Sequence, residues 1–178
     1  IAYPGKVLNN IFVNTRNTQN VYGSIPDKYG HAITYKGDLP IASTAKLDNN
    51  IYFTTGTQSY LAHIRDDDNY DKNYYSTINE WRNVSLQDGN SVVYDPNFVN
   101  PTGDISTLNL HLANPTPAEG WGSFDAEVTD DFDGQQRDQL SPVDIGADAG
   151  NFEFRDVDGP RITHDVFFGN PMPTSFVY

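Results

Sequence analysis

The sequence predicts an all-β protein built as a solenoid, and a repeated strand is the first reason. Residues 8–15 read LNNIFVNT and residues 48–55 read DNNIYFTT, so a short strand with an Asn-Asn-Ile-aromatic core occurs twice. Copies of this kind stack on one another because neither can bury its apolar face alone. Composition is the second reason, since Asn, Asp, Thr, Tyr, Phe, Gly and Pro, which favour strands and turns, are plentiful and helix formers are modest in number.

The paired asparagines predict the corners of the solenoid. Adjacent Asn residues tolerate the left-handed backbone conformation of a tight turn, and their side-chain amides can hydrogen-bond to the next coil. We therefore expect Asn10 and Asn50 to stack at one corner, with the Ile and aromatic side chains that follow filling the interior. The alternative is two unrelated Asn-Asn turns beside ordinary strands. The residues assigned to this corner are Asn9, Asn10, Asn49 and Asn50.

Further strand patterns complete two coils. A strand at residues 1–3 leads into the first repeat, a strand at residues 31–35 leads into the second, and residues 59–64 alternate as another strand. Residues 16–30 are polar and contain Gly and Pro, which predicts a loop that extends from one corner.

The middle of the chain predicts a helical turn and the last rungs. Thr77 precedes Glu80 by three residues, which is the spacing of a capping box at a helix N-terminus. Residues 91–100 contain two apolar stretches around an Asp-Pro turn, and residues 108–112 alternate with period two. We expect both segments to add rungs to the solenoid.

Composition also excludes several classes of partner and site. The formal net charge of -13 argues against nucleic acid, whose binding depends on basic patches. No stretch approaches the ~18 apolar residues of a membrane span, so we expect no membrane insertion. The absence of cysteine excludes disulfides and thiolate metal sites. Because the chain opens within a strand pattern, we expect a fragment whose upstream coils and any export signal precede Ile1.

An acidic, tyrosine-rich run at residues 65–75 is the first candidate site. Its carboxylates could hold Ca²⁺ while its tyrosines, with Trp81 beyond it, stack on sugar rings. The alternative is an ordinary solvated loop, with Trp81 packed over the solenoid. The candidate metal ligands are Asp66, Asp67, Asp68 and Asp71, and the candidate ligand-binding residues are Tyr70, Tyr74, Tyr75 and Trp81.

Other metal motifs fail on spacing. A calcium loop of the EF-hand type needs acidic ligands at fixed positions around a glycine, and neither Gly134 nor Gly159 has them. We therefore interpret Asp131, Asp133, Gly134 and Arg137 as a structural turn with an internal Asp–Arg pair. The four histidines show no HExxH spacing, so the sequence gives no support to zinc-dependent hydrolysis.

An ordered series of motifs resembles a known family. TINEW, SVVYDPNFV, LNLHLANPTPAEG, DFDGQQR and VDIGAD follow one another within residues 76–148. The series is similar to the C-terminal end of bacterial right-handed parallel β-helix proteins of the pectate-lyase-like superfamily, in particular the group with a choice-of-anchor Q domain. The resemblance implies a right-handed parallel β-helix and a structural role for Asp144. One departure is Ala147-Asp148-Ala149, where the family commonly has Tyr-Glu or Asp-Glu after the last Gly-Ala.

The resemblance also implies a domain organisation. Residues 1–128 would be the terminal coils of the β-helix, and residues 129–150 would be a capping segment that covers its open end. Residues 151–178 contain ITHDVFF and resemble the linker or first strand of an immunoglobulin-like module found in exported Bacteroidetes proteins.

Three functions remain open at this point. The first is a non-catalytic terminal part of a secreted or surface-anchored bacterial β-helix protein, a scaffold or adhesin surface that binds polysaccharide. The second is the end of a polysaccharide lyase or glycoside hydrolase acting on acidic glycans, for which Lys46 and Arg65 are the candidate bases. The third is a subunit or cargo of a bacterial surface or secretion complex, or a unit that contacts further domains of its own chain.

Overall fold

Short strands make up most of the regular structure in the computed structural model, which describes residues 5–16, 30–36, 45–56, 59–65, 73–140, 142–153 and 155. Within these residues there are nine strands and one helix, so the expectation of an all-β protein is confirmed. The strands are β1 (Gly5–Leu8), β2 (Ile11–Asn14), β3 (Gly30–Lys36), β4 (Ala45–Asp48), β5 (Ile51–Thr54), β6 (Ser59–Arg65), β7 (Tyr74–Tyr75), β8 (Phe98–Asn100) and β9 (Asn109–Leu112), and the helix is α1 (Ile78–Ser85).

The two sequence repeats lie side by side in parallel. Strands β1, β2 and β3 pair with β4, β5 and β6 respectively, each pair parallel. Ile11 is opposite Ile51 and Phe12 is opposite Tyr52, so the Asn-Asn-Ile-aromatic cores are in register. The first three strands therefore form one pass of the chain and the next three form a second pass beside it.

The side chains between the passes form an apolar interior. Phe12 stacks on Tyr52 with ring centroids 5.4 Å apart, and Leu47 and Leu61 are buried beside them. Because side chains alternate along a strand, the residue before each aromatic, Ile11 or Ile51, faces the opposite side of the sheet and belongs to a second apolar cluster. Each repeat thus supplies side chains to two cores.

Helix α1 closes the interior beside the second pass. The predicted capping box is confirmed, because Thr77 accepts from the Glu80 amide while the Glu80 side chain accepts from the Thr77 amide. The helix is longer than the single turn expected, and it ends at Leu86 in a left-handed conformation. Trp81 projects into the interior and is completely buried.

The expected last rungs do not follow the parallel pattern. Among the residues that the structure describes, only Val92 continues it, through a parallel bridge to Ile51. Strands β8 and β9 pair with each other in antiparallel fashion, and β7 adds to β6 in antiparallel fashion as well. The prediction that residues 98–100 and 108–112 add parallel rungs is wrong, since a local hairpin satisfies their backbone groups instead.

Parts of residues 113–140 and 142–153 pack along the outer flank of β2 and β5. Ile145 and Ala118 bury themselves against Ile51 on the face away from the interior, and the Gly146 amide donates to the Asn9 carbonyl. The described contacts of the predicted capping segment include the side of the strand pairs, and its role in covering an open end stays a prediction.

Several sequence predictions fall on residues outside the described ranges. These are the strand at residues 1–3, most of the loop at residues 16–30, the acidic run from residue 66 to residue 72, and the immunoglobulin-like segment beyond residue 155. Within the described residues, no helix has the length and apolar character needed to cross a membrane.

Candidate functional site

A large groove runs between β9 and the loops at residues 132 and 146–148. It has a volume of about 820 Å³ and is open to solvent. Its apolar side chains are unusually exposed, with Phe132 at 77% and Ile105 at 95% of full exposure. Soluble proteins rarely leave apolar side chains clustered at the surface unless they contact something. The polar members of the groove lining include Asn109, His111 and Asp148.

Three side chains that can bind a metal meet at the edge of this groove, where His111 and Asp148 line it and Asp133 lies beside His111. Ligand atoms of His111, Asp133 and Asp148 all lie within 4.8 Å of one another. His111 Nε2 lies 2.9 Å from Asp133 Oδ2. The Phe132 ring lies edge-on to the imidazole, with centroids 6.2 Å apart.

Backbone amides and one asparagine fix the orientation of these three groups. Alternation along β9 places Asn109 and His111 on one face of the strand, and Asn109 Oδ1 accepts from the His111 amide at 3.0 Å. The same oxygen lies 2.6 Å from His111 Nδ1. Asp148 Oδ2 accepts from the Leu112 amide at 2.7 Å. The groove wall is therefore built from defined hydrogen bonds rather than from exposed side chains alone.

The turn that carries Asp133 is held by the neighbouring aspartate. Asp131 Oδ1 accepts from the amides of Asp133 and Gln135, and its Oδ2 accepts from the Ala149 amide. Gly134 has a φ of 81°, which glycine adopts without strain. These bonds tie the 131–135 turn to the 146–149 loop and so set the width of the groove.

The predicted pairing of Arg137 with an aspartate of this turn is wrong. Arg137 is buried, and its guanidinium donates to the backbone carbonyls of Asp130, Asp144 and Gly146. The Asp131 carboxylate already accepts hydrogen bonds from backbone amides. The Arg137 guanidinium therefore has three backbone carbonyls, rather than a carboxylate, as its acceptors. Arg137 still acts as a structural residue, because it joins the two loops from behind.

Asp144 also lies behind the groove wall and is almost fully buried. Its Oδ1 accepts from the Gly120 amide at 2.9 Å and its Oδ2 from the Gly150 amide at 3.0 Å. Burial raises the pKa of the Asp144 carboxyl to about 6, although both amide hydrogen bonds act in the opposite direction. Its contacts are those of a residue that organises loops.

The asparagine corner borders the groove on the other side. Asn9 and Asn49 have positive φ angles of 57° and 52°, and Asn50 Oδ1 accepts from the Asn10 amide at 2.9 Å. Asn10 and Asn50 thus sit next to each other at one corner, as the repeat predicts. The Asn9 side chain exchanges two hydrogen bonds with the backbone of Ser123, which anchors the flank segment to the corner.

A buried carboxylate below this corner was not anticipated from the sequence. Asp88 is 1% exposed and accepts from Trp81 Nε1 at 2.7 Å and from the Tyr52 hydroxyl at 3.0 Å. Ser91 Oγ and Asn50 Nδ2 donate to it as well. Burial and the nearby Asp88 carboxyl raise the pKa of the Tyr52 hydroxyl above its ordinary value. Asp88 satisfies polar groups inside the fold. It does not line the groove described above, although it borders another depression together with Lys46 and Arg82.

The predicted sugar-stacking residues lie elsewhere, and one of them is excluded. Trp81 is completely buried with its indole N–H bonded to Asp88, so the prediction that it contacts a ligand is wrong. Tyr74 stacks on His63 with centroids 4.4 Å apart, and Tyr75 lies tilted against Trp81. Both tyrosines are partly buried by these contacts. Tyr70 and the candidate calcium ligands Asp66, Asp67, Asp68 and Asp71 lie outside the described residues.

The two candidate bases have no described catalytic setting. Lys46 is exposed on β4 and makes no hydrogen bond or ion pair with the described residues, so nothing orients its amine. Arg65 ends β6, where its backbone pairs with Lys36. The histidine and aspartates of the groove escaped sequence reasoning because residues 111, 133 and 148 share no local motif. Their only signal was the polar face of LNLHL.

Comparison with known proteins gives no assignment. No family model matches the chain, and neither the curated proteins nor the solved structures searched include a match. Inference about function therefore rests on the chain's own geometry.

Proposed function

We propose that this chain is a terminal part of a right-handed parallel β-helix in a secreted or surface-anchored bacterial protein, where it is a scaffold whose groove binds neutral polysaccharide. The observation that carries the proposal is the in-register parallel pairing of the two repeats, with Asn50 Oδ1 bonded to the Asn10 amide. Stacked corner amides of this kind are expected when successive coils of one chain pile up.

The edges of the first pass support a place within a longer stack. Among the described residues, β1, β2 and β3 each pair on one side only. Asn50 Oδ1 accepts from the coil before it, whereas Asn10 Oδ1 has no such donor within the described residues. A further coil laid on the first pass would supply that amide and cover the partly buried Phe12 and Val7.

The groove supports glycan binding. Carbohydrates need flat apolar surfaces for their ring faces and hydrogen-bonding groups for their hydroxyls, and ligand sites combine many apolar atoms with a few placed polar ones. Phe132 offers an exposed ring, while Asn109, His111 and Asp148 offer donors and acceptors beside it. The two carboxylates and the net charge of -13 favour a neutral polymer over a uronate polymer, which the protein would repel.

Affinity electrophoresis of the 178-residue chain in gels containing neutral or acidic polysaccharides tests the groove. We expect a neutral glycan to retard the chain. Phe132→Ala should weaken the affinity for that glycan about tenfold, because a stacked aromatic contact is lost. Phe124→Ala is the matched control, since Phe124 is 65% exposed but is not among the residues that line the groove. Equal retardation of the two variants would remove the groove from the proposal.

The same samples distinguish the scaffold from an enzyme. Incubation with acidic glycans should release no unsaturated uronate product absorbing in the ultraviolet. Product formation that disappears in Lys46→Ala or Arg65→Ala would replace the scaffold with a lyase. Stable co-purification with a larger surface assembly, without glycan binding, would favour the subunit role instead.

A further inference from the structure

We infer that His111, Asp133 and Asp148 form a binding site for a divalent transition-metal ion of the Zn²⁺ class at one wall of the groove. The inference stands on the geometry of these three side chains and does not depend on the β-helix or on glycan binding. Their ligand atoms converge within 4.8 Å although the residues come from three separate segments of the chain.

The hydrogen bonds of His111 prepare the ring for metal coordination. Asn109 Oδ1 accepts from the His111 amide, which fixes that end of the amide side chain as the oxygen. The same oxygen faces His111 Nδ1, so Nδ1 must carry a proton and donate. Nε2 lies 2.9 Å from the Asp133 carboxylate, an approach that needs either a proton on Nε2, which gives an ion pair, or a cation shared by the two atoms, to which the neutral ring offers the Nε2 lone pair. Metal-bound histidines are held in this way by an acceptor on the second nitrogen.

The two carboxylates differ in how they are held, and both suit a ligand role. Asp148 is partly buried, and one of its oxygens accepts from the Leu112 amide. Asp133 is exposed at the rim, where its carboxylate can adjust. Two carboxylates beside a neutral imidazole leave a local charge of two negative units, which a divalent cation would neutralise.

The donor set selects the metal. Ca²⁺ and Mg²⁺ prefer sites made wholly of oxygen, whereas one imidazole nitrogen with two carboxylates suits Zn²⁺ and neighbouring transition metals. In a tetrahedral zinc site with bonds of about 2.0–2.1 Å, ligand atoms lie about 3.3 Å apart. The present spacing of 2.9 to 4.8 Å reaches that value through small side-chain rotations. Three protein ligands leave the fourth position for water or a ligand in the groove.

Titration of the metal-free 178-residue chain with ZnCl₂, followed by calorimetry, and with CoCl₂, followed by visible absorption, tests the site. We expect one Zn²⁺ per chain and a tetrahedral Co²⁺ spectrum. Removing one of three ligands in His111→Gln or Asp148→Asn should weaken binding at least 100-fold. Asn109→Ala should weaken it about 10- to 100-fold, the usual effect of losing a partner that orients a ligand.

Asp138→Asn is the charge-matched control, because Asp138 is exposed and outside the cluster, and it should bind as the parent chain does. Circular dichroism of each variant establishes that the fold is kept. Binding that is absent, or unchanged in both His111→Gln and Asp148→Asn, would overturn the inference and leave His111 and Asp133 as a simple ion pair.

Discussion

The two repeats have nearly the same sequence but very different surroundings. Ile51, Tyr52 and Asn50 in the second pass are completely buried, whereas their counterparts Ile11, Phe12 and Asn10 in the first pass are partly exposed. The second pass lies between the first pass and residues 87–92, which bond to the Leu47 and Asn50 backbones. The comparison teaches that stability in a stacked fold depends on neighbours on both sides rather than on the motif itself.

The aromatic position shows how the sequence adjusts to this difference. Phe12 needs no polar partner and stacks on Tyr52 from one side. Tyr52 is buried from both sides, and its hydroxyl is satisfied by Asp88. A buried hydroxyl without a partner would be costly, so Tyr in the second repeat depends on a carboxylate that the first repeat does not need.

The largest expected effect comes from removing that carboxylate. Asp88→Ala should lower the free energy of unfolding by about 3–5 kcal/mol, because it strands buried donors on Trp81, Tyr52 and Asn50 and leaves a cavity. Urea unfolding followed by Trp fluorescence measures it. A loss below about 1 kcal/mol would mean that water enters and replaces the carboxylate.

Alanine substitutions of Asn50 and Asn10 compare the stability contributions of the two passes directly. Asn50→Ala should cost about 2–3 kcal/mol, because Asn50 bonds to the Asn10 amide, the Val7 carbonyl and Asp88 from a fully buried position. Asn10→Ala should cost only about 1 kcal/mol, since that side chain is partly exposed. Equal losses in denaturant unfolding would contradict the view that the second pass is the central one.

The sequence predicted the local features of the two repeats but not the contacts between distant segments of the chain. The repeat predicted the parallel register and the corner conformation, because an Asn-Asn pair before alternating apolar residues restricts both. The antiparallel β8–β9 hairpin was missed, since alternation at residues 108–112 is the same for either strand direction. Asp88 and the His111 cluster were missed because distant parts of the chain assemble them, and no local spacing encodes such contacts.

A smaller effect is expected when the aromatic residues are exchanged. Tyr52→Phe removes one hydroxyl from Asp88 and should cost about 1 kcal/mol. Phe12→Tyr should change the free energy of unfolding by less than about 0.5 kcal/mol, because Phe12 is partly exposed and we expect a new hydroxyl to reach water. Chemical denaturation measures both variants, and a larger loss for Phe12→Tyr would contradict the view that the second pass is the more buried of the two.

The smallest expected effect concerns a lysine of the first pass, whose counterpart in the second pass should contribute less to stability. Lys6 and Lys46 occupy the same register on β1 and β4, but only Lys6 has described partners, with Nζ 3.1 Å from Asp125 and 3.5 Å from Glu127. Both pairs are at the surface, so Lys6→Met should lower the melting temperature only slightly and Lys46→Met should leave it unchanged.

The dependence of melting temperature on salt and pH shows whether the contribution of Lys6 comes from its ion pairs. The Lys6 contribution should fade in 1 M NaCl, where exposed charges are screened. The hydrogen bond and charge of Asp125 raise the pKa of Lys6 above 10.5, so folding favours its protonated form. The stabilisation is therefore fully present below pH 10.5 and is lost as the pH rises through the higher value in the folded protein. Melting curves of the parent and Lys6→Met that converge in that range would support the ion pair, whereas a constant offset would assign the effect to packing of the lysine stem.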